Sequence, residues 1–127
     1  MTKARVLIVD DYEDNLVLLR AWLAGGDFDV AEAQSGEEAL ARSLEFRPDV
    51  ILLDMRMPEP FDGWMVARRL RDLPEFKSTI IVGVTAYAMV GDRERVLEVG
   101  CDDFLPKPIH GPDLVPRIQR LLEARRG

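Results

Sequence analysis

Cysteine and histidine are almost missing from this chain, one of each in 127 residues. The lone Cys101 cannot close an internal disulfide, which fits a reducing compartment. With His110 as the sole imidazole, a histidine-rich metal cluster is excluded, and His110 reads as an exposed residue before the last helix. Basic residues are outnumbered, 17 Lys and Arg against 23 Asp and Glu, for a net charge of −6. A surface of that sign repels phosphate backbones, so nucleic acid is not expected as a direct partner. Long apolar runs are absent too. Val50 to Leu53 and Ile80 to Val84 fall far short of the roughly 20 residues a bilayer span needs. Near the N-terminus the run Val6 to Val9 is stopped by Asp10 and Asp11, too soon for a signal peptide. The expectation is a soluble, cytoplasmic protein that makes no membrane contact. Linkers, repeats and low-complexity tracts are also lacking, so one domain is expected over residues 1–127, with its core at about 4–123.

What the chain does have is a regular alternation. Val6–Val9, Val50–Leu53, Ile80–Val84 and a weaker Phe104–Leu105 read as buried strands, and a more polar stretch around Val30–Ala33 reads as an edge strand. Helical spacing separates them: Leu16, Leu19 and Leu23; Ala39, Leu40 and Leu44; Met65, Val66 and Leu70; Val96, Leu97 and Val99; then Leu114, Ile118, Leu121 and Leu122. Ser35-Gly36-Glu37-Glu38 has a capping-box pattern, Asp62 is placed to open the third helix and Gly100 to close the fourth. Asp11 or Asp14 could cap the first helix. Pro112 suits a first turn, whereas Pro116 lies inside the fifth pattern and implies a later start or a distorted first turn. Strands that are apolar throughout, rather than alternating, need cover on both faces. The pattern therefore predicts an α/β fold: a parallel five-stranded sheet sandwiched between helices.

In such sheets chemistry gathers at the carboxyl ends of the strands. Asp10 and Asp11 follow the first strand, Asp54 ends the second apolar run, Thr85 ends the fourth strand and Lys107 follows the last. Three carboxylates brought together repel one another, and a hard divalent cation such as magnesium relieves that repulsion. A carboxylate is also a competent nucleophile toward phosphoryl groups. An ammonium and a hydroxyl nearby would stabilise the charge that develops on the transferring oxygens, and Lys107 and Thr85 suit those tasks.

These residues resemble the receiver domains of bacterial two-component response regulators. The likeness runs from Val6 to about Leu122. It rests on Asp10-Asp11, Leu53-Asp54-Met-Arg-Met-Pro58, Asp62-Gly63, Thr85-Ala86, Gly100-Cys-Asp-Asp-Phe104 and Lys107-Pro108. Within the family the best parallel is the stand-alone class without an output domain. The resemblance implies a flavodoxin-like three-layer sandwich with strand order 2-1-3-4-5. It implies that Asp54 accepts the phosphoryl group, that Asp11 binds Mg2+ (or Mn2+) directly with Asp10 in support, and that the Arg56 main-chain carbonyl is a further ligand. Thr85 would bond the phosphoryl group, Lys107 would pair with it, Phe104 would be the aromatic switch, and the Lys107–Pro108 bond would be cis. Arg56 and Tyr87 hold positions that tune phosphoryl lifetime, and their bulk predicts a long-lived phosphorylated state. The sequence departs from the family pattern in one place, because Glu59-Pro60-Phe61 sets Gly63 one position farther from Asp54 than is common.

The implied partners are a sensor histidine kinase or phosphotransfer protein upstream and a protein target, or a second copy of the chain, downstream. Such a switch is not an enzyme beyond promoting its own phosphorylation and dephosphorylation. An aspartate-based magnesium phosphohydrolase is the alternative, but it typically wants an acid two positions after the nucleophile, where this chain has Arg56. An interaction module that is never phosphorylated sits poorly with the intact acidic, hydroxyl and lysine set. A dinucleotide enzyme would need a Gly-x-Gly-x-x-Gly after the first strand, and none is there. Arg68, Arg69 and Arg71 are expected on a solvated helix face, Arg117, Arg120, Arg125 and Arg126 there or on a docking surface, and Trp22 and Trp64 partly in the core.

Overall fold

The computed structural model describes residues 3–86 and 91–126. Strands β1 (Ala4–Val9), β2 (Phe28–Ala33), β3 (Val50–Asp54), β4 (Ile80–Thr85) and β5 (Asp103–Pro106) alternate with helices. These are α1 (Glu13–Leu23), α2 (Gly36–Phe46), α3 (Gly63–Arg71), α4 (Asp92–Glu98) and α5 (Gly111–Arg126). The strands form one parallel sheet in the order β2-β1-β3-β4-β5. Among the described residues no helix is long and apolar enough to cross a membrane.

Successive side chains of a strand point to opposite faces, so an unbroken apolar strand feeds two cores. Leu7, Val9, Ile51 and Leu53 face α2, α3 and α4, where they meet Ala39, Val66, Leu70 and Val96. Val6, Ile8, Val50 and Leu52 face α1 and α5 and meet Leu16, Leu19, Leu114 and Ile118. Every residue of β3 and β4 is buried, whereas β2, at the sheet edge, is buried only at Ala33.

Local signals account for most helix ends. The Ser35 hydroxyl accepts from the Glu38 N–H at 3.1 Å. The Glu38 carboxylate reaches back to the Gln34 N–H at 2.9 Å, one residue ahead of the cap itself. Asp62 accepts from the Met65 N–H at 3.0 Å and opens α3 as expected. Gly100, at φ 109°, follows the last turn of α4 in a conformation that disfavours side chains. Neither Asp11 nor Asp14 caps α1; its N-cap is Tyr12, whose side chain makes no capping bond. The fifth helix does not begin late. It runs from Gly111 straight through Pro116, whose missing N–H forgoes only a bond to the Pro112 carbonyl.

One basic residue departs from the solvated-face expectation. Arg71 ends α3 half-buried, and its guanidinium donates to the carbonyls of Gly100 (2.7 Å), Phe76 (2.7 Å) and Thr79 (2.8 Å) and to the Asp102 carboxylate (2.6 Å). Asp102 also accepts from the Ile81 N–H at 2.9 Å. Two of the last helix's arginines are tied down as well, Arg117 to Asp103 at 2.7 Å and Arg125 to the Asp49 and Ser78 carbonyls.

Candidate functional site

Parallel pairing sets the site. Val9 lies opposite Leu53, which brings Asp10, the next residue, beside Asp54 at the end of β3. The Asp10 N–H donates to the Ala33 carbonyl, so the β1 end is held on its other side as well. Thr85 ends β4 opposite Pro106, and the Lys107 N–H donates to the Thr85 carbonyl at 2.8 Å. Five residues spread over most of the chain thus converge on one sheet edge. Asp10, Asp54 and Thr85 are buried there, at 2 %, 4 % and 5 % exposure, while Asp11 faces solvent.

The Lys107 ammonium stands 3.0 Å from an Asp10 carboxylate oxygen and 3.3 Å from one of Asp54. Asp10 also accepts from the Tyr12 N–H at 3.0 Å and the Asn15 amide at 3.1 Å. Asp54 accepts from the Arg56 N–H at 3.0 Å. Burial pushes the Asp54 carboxyl above its ordinary value, and the Asp10 charge adds to the push; the Arg56 N–H and Lys107 oppose it without cancelling it. For Lys107, burial alone would lower the ammonium's pKa. The hydrogen bond to Asp10 and the charges of Asp54 and Asp10 outweigh burial, and the value is raised.

Ligand oxygens of Asp10, Asp11 and Asp54 lie within 4.8 Å of one another. This is an all-oxygen, three-carboxylate set beside one ammonium, which suits a hard divalent cation of the magnesium or manganese type. Asp10 is already engaged by three donors, whereas Asp11 makes no hydrogen bond or ion pair among the described residues, so the two are suited to supporting and direct ligation respectively.

The longer loop after Asp54 closes back onto the strand. The Gly63 N–H donates to the Met55 carbonyl at 3.3 Å, and a Cβ on Gly63 would sit 2.4 Å from the Asp54 carbonyl oxygen. Only glycine lets α3 begin so close to the end of β3. The Lys107–Pro108 bond is cis as expected, and so is Glu59–Pro60 within the lengthened loop, which sequence gave no reason to expect. Arg56 is exposed at the site's rim and Phe104 is half-buried against the core of the α2–α4 face. Tyr87, expected beside them, lies outside the described residues.

Two cavities lie at this edge of the sheet. One, of about 280 Å³, lies between α1 and the β5–α5 connection, with Leu18, Trp22, Ile109, Asp54 and Lys107 in its walls. The other, of about 590 Å³, is lined by Asp11, Arg56, Trp64, Thr85 and Arg95 among others. Asn15 and Arg95 were not singled out by sequence. Both sit inside helices, where a polar residue reads as an ordinary solvated position until the packing is known.

A family model for the response regulator receiver domain matches residues 6–119. The response regulator PleD of Caulobacter vibrioides is 43 % identical over 118 residues, which cover 93 % of this chain and 26 % of PleD, so the chain spans about a quarter of that relative. The polar-differentiation response regulator DivK of Brucella ovis is 38 % identical over 122 residues, 96 % of this chain and 98 % of DivK. The chemotaxis response regulator CheY4 of Vibrio cholerae superposes with a TM-score of 0.86 at 30 % identity, covering 94 % of this chain and 99 % of CheY4.

Proposed function

Because the chain belongs to the response regulator receiver family and is a phosphorylation-dependent switch of that kind, we propose that Asp54 is its phosphoacceptor and Lys107 and Thr85 the residues that read the bound phosphoryl group. The observation that carries this reading is a buried Asp54 carboxylate 3.3 Å from the Lys107 ammonium and clustered with Asp10 and Asp11. On it, residues 1–127 act as one receiver domain in the cytoplasm.

Asp11 and Asp54 would hold a magnesium or manganese ion, with Asp10 in support and the Arg56 main-chain carbonyl as a further ligand. When bound, that ion would neutralise carboxylate charge and charge on the phosphoryl oxygens. An Asp54 carboxylate oxygen attacks phosphorus. The new O–P bond forms as the P–N bond of a donor phosphohistidine breaks, and the imidazole leaves with the electron pair and takes up a proton. Lys107, no longer matched by a free Asp54 charge, pairs with a phosphoryl oxygen, and the Thr85 hydroxyl donates to another. Phe104 then turns inward as Thr85 is drawn toward the phosphate, and the surface of α4, β5 and α5 changes for its partner, a protein target or a second copy. Arg56 and Tyr87 screen the acyl phosphate from water and prolong its life.

A histidine kinase or phosphotransfer protein is the proposed donor, and it needs a seat beside Asp54. On α1, Val17 and Leu18 are 63 % and 53 % exposed, and Leu18 and Trp22 line the smaller cavity together with Asp54 and Lys107. Exposed apolar side chains next to a buried reactive group favour a protein donor.

Intact-mass analysis after incubation with magnesium and acetyl phosphate tests the assignment. The wild-type chain should gain the mass of one phosphoryl group, and Asp54→Ala should gain none. A gain retained in the variant would place the acceptor elsewhere, and loss of the wild-type adduct within seconds would refute the screening role of Arg56 and Tyr87.

A further inference from the structure

In the wider cavity, Arg95 shares walls with Asp11 and Thr85, yet the steps above give it no work. Its guanidinium carbon lies 4.8 Å from the centroid of the Trp64 ring. Trp64 is half-buried in the first turn of α3, and Arg95 comes from α4. A long, flexible cation is thus propped by an aromatic plate on a neighbouring helix. The one ion pair Arg95 makes among the described residues, to Asp92 at 3.8 Å, is too long for a hydrogen bond, and 66 % of its side-chain surface stays exposed. The group is held in place while its N–H donors remain available.

The charges around it say what they are for. Asp11, Glu59, Asp62 and Asp92 line the same cavity, whose cations are Arg56 and Arg95. A phosphoryl donor is an anion, and a wall of carboxylates turns anions away. Where such a donor can enter is decided by the guanidiniums on that wall, which match phosphate geometry with paired N–H groups.

We infer that Arg95, propped by Trp64, binds the phosphate of small dianionic phosphodonors, of the acyl phosphate class, in this cavity, whose walls include Asp11, Thr85 and Met55, the residue after Asp54. Arg95 is the donor-binding residue and Trp64 its positioning residue. Transfer then follows the course given above: the Asp54 O–P bond forms, the P–O bond of the acyl phosphate breaks, and the carboxylate leaves with the electron pair. The inference rests on Asp54 being the acceptor.

The test compares two donors at saturating magnesium, acetyl phosphate as a dianion and phosphoramidate, which carries one net negative charge near neutral pH. Coulomb energy scales with charge, so if Arg95→Gln lowers the phosphorylation rate about tenfold with acetyl phosphate, it should lower it about threefold with phosphoramidate. Arg95→Lys, which restores the charge, should recover most of the acetyl phosphate rate, and Trp64→Leu should fall between Arg95→Gln and wild type. The rate at which the phosphoryl group is lost should be the same in all of them, whereas a merely structural disturbance of α4 would move it. Equal losses with both donors, an unchanged acetyl phosphate rate, or altered phosphoryl loss in Arg95→Gln would each overturn the inference. A wild-type chain that takes no phosphoryl group from either donor would instead overturn the Asp54 assignment.

Discussion

At the scale of single residues, environment decides which groups react. Cys101 is buried between Gly83 of β4 and the Arg71 region, and burial pushes its thiol up to about 12, the Arg71 charge opposing and Asp102 adding. The thiolate is the reactive form, so the folded protein should resist a thiol reagent at pH 8 and react once unfolded in denaturant, as a time course of labelling would show. The linked stability effect has a definite sign. A folded-state value raised above 9.0 means the native state holds the proton longer than the unfolded chain. Stability from this group is therefore complete below pH 9 and lost as pH rises toward about 12. Denaturation of wild type against Cys101→Ala across that window should show wild type losing ground. The acidic and cationic residues of the candidate site were legible in sequence because they follow the ends of apolar runs, and the end of a run is visible without a structure. Trp64 and Arg95 were not, since nothing local announces that residues on two separate helices will stack.

Elements add what single residues cannot, as Arg71 shows. It joins the end of α3, the Pro74–Phe76 turn, the start of β4 and the connection into β5 through four hydrogen bonds. Its place beside Leu70, Arg68 and Arg69 made it look like one more surface charge, and only the close approach of the Gly100 turn reveals the clamp. Arg71→Ala would leave three carbonyls and the Asp102 carboxylate without that partner. A loss of about 2–4 kcal/mol in urea denaturation is expected. Boundaries were the weak part of the sequence reading for a related reason. Asp11 and Asp14 have the chemistry of caps, but the helix opens at Tyr12, one residue after Asp11 and two before Asp14. In α5 tertiary packing of Leu114, Ile118 and Leu122 holds the helix together across Pro116, overriding its local preference.

For the molecule as a whole, strand order is what makes a site from scattered residues. The order itself came from resemblance, because periodicity shows that strands are covered on both faces but not which strands are neighbours. Clustering Asp10, Asp11 and Asp54 gathers three carboxylates beside one ammonium; burial raises the Asp54 carboxyl, and the Asp10 charge adds to it. A cation that binds only the folded state should therefore stabilise the protein, by about 2.7 kcal/mol at one hundred times its dissociation constant. Thermal unfolding with magnesium and with EDTA should differ accordingly for wild type, and Asp11→Asn should erase the difference. An equal magnesium effect in that variant would mean the ion binds elsewhere.

The bond from the Lys107 amide to the Thr85 carbonyl ties together the two strand ends that carry the ammonium and the hydroxyl. They are yoked. Whatever tugs on one drags the backbone of the other, so a phosphate grasped by both would shift the two strands in step and announce its arrival as one displacement rather than two.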